Sequence, residues 1–162
     1  MKAKFDINKI YDDYSKHLYF SSLRIVGDSH DAQEIMQESI IRYYKFPNKE
    51  GIIDIRKWLT TICIRKSLDK LRERNRNKIF LQDYKEHSLN ELDKQVPIDR
   101  LSVQNIKEAI GLLPDNYRII FSLHLIEGYD YQEISQITGI KESTIRTLYS
   151  RAKNKIKELI KG

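Results

Sequence analysis

At 162 residues the chain can hold one ordinary domain or two small ones, each burying only a modest core. A composition that is 40% hydrophobic and 32% charged excludes a disordered chain, and no apolar run approaches the roughly 18 residues that span a bilayer. The formal net charge of +6 favours an anionic partner, and a lone cysteine excludes an internal disulfide.

The opening residues, MKAKFDINKIYDDY, lack the continuous apolar segment of a secretory signal, which puts the chain in the cytoplasm by default. Ile10, Tyr14, Leu18 and Ile25 recur at helical spacing and predict a first amphipathic helix, with Gly27 as its C-terminal cap. Asp28, Ser29 and Asp31 offer capping oxygens and early negative charge to a second helix. Its apolar stripe is Ala32, Ile35, Met36, Ile40 and Tyr43, and its other face carries Glu34, Gln37, Glu38 and Arg42. The stretch FPNKEGIID, residues 46 to 54, reads as a loop. A third long helix follows, built on Ile55, Trp58, Leu59, Ile62 and Leu68. Cys63 falls within it and reads as a buried thiol; with four scattered histidines there is no metal-ligand spacing, and neither metal nor cofactor is expected.

The third helix runs into a basic block, residues 65 to 78, with seven basic and two acidic side chains. Residues 79 to 100 have weak periodicity, contain Asn90 and Pro97, and turn mildly acidic, so they read as a linker. Extended, about 20 residues reach roughly 66 to 70 Å, close to two turns of duplex. Val103, Ile106, Ile110 and Leu113 predict a helix stopped by Pro114, and Tyr117 through Ile126 a nearly all-apolar, hence buried, helix ended by Gly128. Asp130 and Glu133 form a D-x-x-E capping box that starts a short helix with Ile134 and Ile137 inward and Ser135 small enough for close helix approach. Gly139 permits a left-handed turn, after which Ile140, Ile145 and Leu148 bury a longer helix. A second block, residues 141 to 161, again sets seven basic against two acidic residues.

Two such blocks point to nucleic acid rather than to faces that merely keep the chain in solution. The spacing around Gly139 fits a helix-turn-helix, whose second helix offers its N-terminal half to the major groove. Ser143, Thr144, Arg146, Thr147, Ser150 and Arg151 remain for the groove and the phosphates. Arginine suits base reading because its fork can bond guanine O6 and N7 together.

The segment LPDNYRIIFSLHLIEGYDYQEISQITGIKESTIRTLYSRAKNKIKEL, residues 113 to 159, resembles region 4 of the sigma-70 family of RNA polymerase sigma factors. DAQEIMQESIIRYYKF with IRKWLTTICIRKSLDKLRERNR, residues 31 to 46 and 55 to 76, resembles region 2. Their order resembles the small two-domain extracytoplasmic-function (ECF) type. The resemblance implies an all-α fold of two small helical domains: residues 1 to 78 as a region 2 bundle, 79 to 100 as linker, and 101 to 162 as a region 4 helix-turn-helix. It implies that Glu34, Gln37, Glu38 and Arg42 dock on core RNA polymerase, a face that would otherwise read as solvated. It implies that Asn48, Lys49, Trp58, Thr61, Arg65, Lys66, Asp69 and Arg72 capture melted minus-10 DNA. It implies that the region 4 set reads the minus-35 element of promoter DNA. An anti-sigma factor is a further implied partner, and the protein itself catalyses nothing.

By spacing with Ile55 and Ile62, Trp58 reads first as core and only second as a stacking platform. Three residues depart from the family pattern. Arg65 stands where Asn is usual, so base preference is not carried over although phosphate binding is. Lys141 replaces a serine-type cap ordinarily worth about 1 kcal/mol. Leu148 stands where a basic residue is common. The alternative is a stand-alone helix-turn-helix regulator that binds duplex without polymerase, which leaves residues 31 to 76 unexplained. A DNA-processing enzyme such as a recombinase needs a nucleophile with supporting groups, a constellation the Ser and Tyr residues lack.

Overall fold

The computed structural model describes residues 6–75 and 103–161, with side chains from residue 108 to 160 in the second segment. Every regular element among them is helical. The chain separates into two compact units, Met1–Arg74 and Asn75–Gly162. The expected linker, residues 79 to 100, lies outside the described residues.

In the first unit, α1 (Ile7–Val26) starts at Asp6, whose carboxylate accepts from the Asn8 N–H at 3.0 Å. It stops where Gly27 turns left-handed (φ 69°) and returns its N–H to the Leu23 carbonyl. The next helix, α2 (Ser29–Lys45), follows at once because Asp28 caps the Asp31 N–H at 2.8 Å. It ends at extended Phe46, the residue that Pro47 restrains. After a single 3₁₀ turn (Lys49–Gly51), Asp54 accepts from the Lys57 N–H at 3.0 Å and opens α3 (Ile55–Arg74).

The three helices pack pairwise, with Leu18, Ile25, Met36, Ile40, Tyr43, Leu59, Ile64 and Leu68 between them. Small residues bring α1 and α3 close: Ser67 Oγ bonds Ser22 Oγ at 2.7 Å, and the Cys63 thiol, fully buried, donates to the Leu18 carbonyl. The buried face of α3 keeps Leu59 and Leu68 of the expected stripe, and the expected Cys63 thiol, but not the rest. It consists of Leu59, Thr60, Cys63, Ile64, Ser67, Leu68 and Leu71, whereas Ile55, Trp58 and Ile62 are only half-buried. Apolar side chains ring this helix, so periodicity alone does not say which of them face the other two helices.

In the second unit, α4 (Val103–Leu112) leads through Pro114 into α5 (Asp115–Phe121). The helix continues as a π-helical turn, Ser122–Ile126, closed by the Glu127 N–H on the Ser122 carbonyl. That turn corrects the expectation of a buried run to Ile126. Its wider winding rotates the last side chains off the core face, leaving Leu125 57% and Ile126 42% exposed. The short α6 (Tyr131–Thr138) begins in the expected capping box, Asp130 accepting from Glu133 N–H at 2.8 Å and Glu133 from Asp130 N–H at 3.0 Å. Gly139 takes φ 82° and returns its N–H to Ser135. The Ser135 hydroxyl donates to the Ile140 carbonyl at 2.6 Å and ties the turn. The long α7 (Glu142–Lys161) packs on α4, α5 and α6 through Ile145, Leu148, Ala152 and Ile156.

Candidate nucleic-acid interface

The displaced side chains of α3 have a different use. Positions 54, 58, 61 and 65 succeed one another at three- and four-residue steps and so share one stripe. Beside it the loop before α3 encloses an open pocket of about 460 Å³. Phe46, Ile52, Trp58 and Ile62 supply apolar walls; Asn48, Asp54, Lys57, Thr61 and Arg65 supply polar groups at its edges. Trp58 meets the Tyr43 ring edge-on with centroids 5.8 Å apart, and the Phe46 ring at 5.1 Å. It is therefore both packed and partly open. Ile53, on the pocket wall, is fully exposed.

Of the residues expected at single-stranded DNA, Asn48, Trp58, Thr61 and Arg65 come together at this pocket. Lys49 turns back, its Nζ donating to the Phe46 carbonyl at 2.9 Å and lying 5.7 Å from the Tyr44 ring centroid. Lys66 faces α2, 3.9 Å from Glu38. Asp69 and Arg72 pair with each other at 3.4 Å, past the pocket residues on α3. Ile52, Ile53 and Asp54 belong to the loop, residues 47 to 54, that the resemblance puts at the captured base, whereas Phe46, Lys57 and Ile62 line the pocket without having been singled out as DNA contacts in the sequence.

Glu34, Gln37, Glu38 and Arg42, the set expected at polymerase, are exposed on α2. Glu38 and Arg42 share a second open pocket, about 420 Å³, with Ile41, Lys45, Phe46, Pro47 and Lys66. Ile41 and Tyr44, 45% and 53% exposed, add apolar surface that the sequence reading passed over. Large apolar side chains lying off the buried stripe were the sign.

On α7 the expected groove set is on the surface: Ser143, Arg146, Thr147 and Ser150 are exposed, and Thr144 and Arg151 half-buried. Thr147 Oγ1 donates to the Ser143 carbonyl at 3.1 Å. Beneath this face lies an aromatic group, Phe121, His124, Tyr131 and Tyr149, that the sequence reading did not single out. Burial, and then the neighbouring Tyr131, raise the pKa of the Tyr149 phenol above its ordinary value. Lys153 Nζ lies 5.9 Å from the Tyr149 ring centroid, so cations extend along the helix.

Among the described residues one group of metal-type ligands comes together, Asp28, His30 and Asp31, with ligand atoms within 4.8 Å. Its carboxylates already have work: Asp28 caps α2, and Asp31 faces Arg74 at 3.8 Å.

Fold and surface together define a helical DNA-binding factor with one helix-turn-helix unit and one pocketed bundle. Residues 10–77 match the family model "Sigma-70 region 2", and residues 103–156 match "Sigma-70, region 4". The chain is similar to ECF RNA polymerase sigma factor SigM of Bacillus subtilis, 25% identical over 154 residues that cover 94% of each chain. It is 30% identical over 147 residues to probable ECF RNA polymerase sigma factor SigI of Mycobacterium tuberculosis, covering 85% of this chain and 49% of that one. The solved structure of the sigma factor RpoE from Bartonella quintana, in complex with the anti-sigma factor NepR, has the same fold. Its TM-score is 0.61 at 22% identity, over 96% of this chain and 97% of that one. The chain belongs to the sigma-70 family, as a sigma factor of the ECF type. Sigma factors are transcription initiation factors and not enzymes. Among the described residues no helix is long and apolar enough to cross a membrane.

Proposed function

We propose that this sigma factor binds core RNA polymerase in the cytoplasm and directs promoter-specific initiation, reading minus-35 DNA as duplex and minus-10 DNA as melted strand. One observation carries the reading: a single chain has two surfaces suited to two forms of DNA. The polar start of α7 is a largely exposed helix face, which fits a groove. The α3 pocket is concave, aromatic-walled and edged by Lys57 and Arg65, which fits an unstacked base with its phosphates.

Strand opening then needs no catalytic group. A pocket that accepts only an extruded base binds the opened strand better than the duplex, and that difference shifts the equilibrium toward opening. The polymerase supplies the phosphoryl-transfer chemistry. Residues 1 to 78 hold the docking and minus-10 functions, residues 101 to 162 the minus-35 function, and residues 79 to 100 tether them. Docking uses Glu34, Gln37, Glu38 and Arg42 around Ile41 and Tyr44, a polar rim about apolar anchors of the kind that carries binding energy in protein interfaces. An anti-sigma factor is the expected regulatory partner.

The test is in-vitro transcription with bacterial core polymerase over a genomic fragment library. Promoter-specific transcripts that require the added chain are expected. Their absence, with tight duplex binding by the isolated chain, would hand the function to a stand-alone helix-turn-helix regulator.

A further inference from the structure

Arg146 is held before any DNA arrives. Its guanidinium lies over the Tyr131 ring, 5.3 Å from the centroid. Glu142, one turn earlier, stands 3.5 Å away, but an exposed pair at that distance constrains a side chain weakly. The ring is the firmer restraint because it is itself fixed. Tyr131 opens α6 within the capping box, next to Asp130, and stacks on His124, with centroids 4.5 Å apart and 21° between planes. His124 Nδ1 lies 2.8 Å from the Tyr129 carbonyl, which can only accept, so that nitrogen carries the proton. Tyr149 of α7 meets the imidazole edge-on at 4.6 Å and stacks on Phe121 at 5.6 Å. The two helices of the helix-turn-helix are thus joined by a run of rings that ends at the guanidinium.

We propose that Tyr131 is a positioning residue for the minus-35 contact, its ring restricting the directions Arg146 can take and so sharpening base choice. This rests on Arg146 being a base reader. Restraint before binding lowers the ordering cost of the productive geometry, and an exposed cation over a ring corresponds to about two- to fivefold in an equilibrium. Because Tyr131 works through Arg146, the effect falls on discrimination at the base Arg146 reads and not on the general grip on phosphates.

Two measurements test it. In NMR spectra of the free full chain, Arg146 side-chain resonances should carry a ring-current shift in the wild type and in Tyr131→Phe, and lose it in Tyr131→Leu. In holoenzyme transcription from promoters with a randomised minus-35 segment, Arg146→Ala should flatten the preference at particular positions. Tyr131→Leu should flatten the same positions by about two- to fivefold, Tyr131→Phe should leave them intact, and Tyr131→Leu with Arg146→Ala should flatten no more than Arg146→Ala alone. No ring-current shift overturns the restraint. Flattening by Arg146→Ala without flattening by Tyr131→Leu, or uniform weakening by Tyr131→Leu, overturns the proposal alone. A profile unchanged by Arg146→Ala overturns the base-reading assignment as well.

Discussion

Replacing Trp58 with alanine separates the two roles that its position creates. The indole packs against Tyr43 and Phe46 and also walls the 460 Å³ pocket. Truncating a fully buried tryptophan costs about 3 to 5 kcal/mol, so a half-buried one should cost roughly 2 kcal/mol of folding stability. Against the roughly 5 to 15 kcal/mol typical of a folded protein, the variant stays folded. The cost to DNA binding is of another kind. Losing one stacking surface removes about 1 to 3 kcal/mol, or roughly 5- to 150-fold in affinity, and only where a base is free to enter. The assay compares holoenzyme affinity for two matched promoter fragments, one fully duplex and one with the minus-10 segment already opened. Urea unfolding of the chain alone reports the stability cost, and Trp58→Phe, which keeps a ring, should recover most of both losses. Equal weakening on the two fragments, or an undiminished affinity for the opened one, would refute the stacking role and leave Trp58 as a packing residue.

Glu38→Lys should lower core-polymerase affinity about tenfold or more by setting like charge against a surface matched to α2. Its long, exposed pair with Lys66 implies a stability change within about 1 kcal/mol, so unchanged affinity in a titration onto core polymerase discredits the docking face. Asp130→Ala removes half of the capping box and should cost about 0.5 to 2 kcal/mol in thermal unfolding, with Asp130→Asn close to wild type. Stability should also fall in acid through Asp28. The Asp31 N–H holds its carboxyl below the ordinary value of 3.8 against a smaller opposing effect of burial, with help from the His30 N–H and the charges of His30 and Arg74. A depressed carboxyl stabilises fully above its unfolded value, and that contribution is lost as pH falls through the folded one. Asp28→Asn should therefore show a shallower acid decline in chemical unfolding, and parallel declines would remove the cap from the account.

The amino-acid order by itself determined where helices start and stop. Asp28, Gly27, Asp130 with Glu133, and Gly139 all act through bonds spanning three or four residues, so their effect is present in the local sequence. The buried stripes of α2 and α7 were equally legible, since their residues recur at helical spacing: Ile35, Met36, Ile40 and Tyr43 on α2, Ile145 and Leu148 on α7. Only the tertiary structure decided which side of α3 is core. Apolar residues lie on both sides, and close contact with α1 at Ser22 and Ser67 turned Trp58 and Ile62 out to build a pocket. The same holds for Lys66 beside Glu38, for Leu125 and Ile126 rotated outward by a π turn, and for Tyr131 beneath Arg146. Each depends on groups distant in sequence or on a change of helical winding, and no local period encodes either.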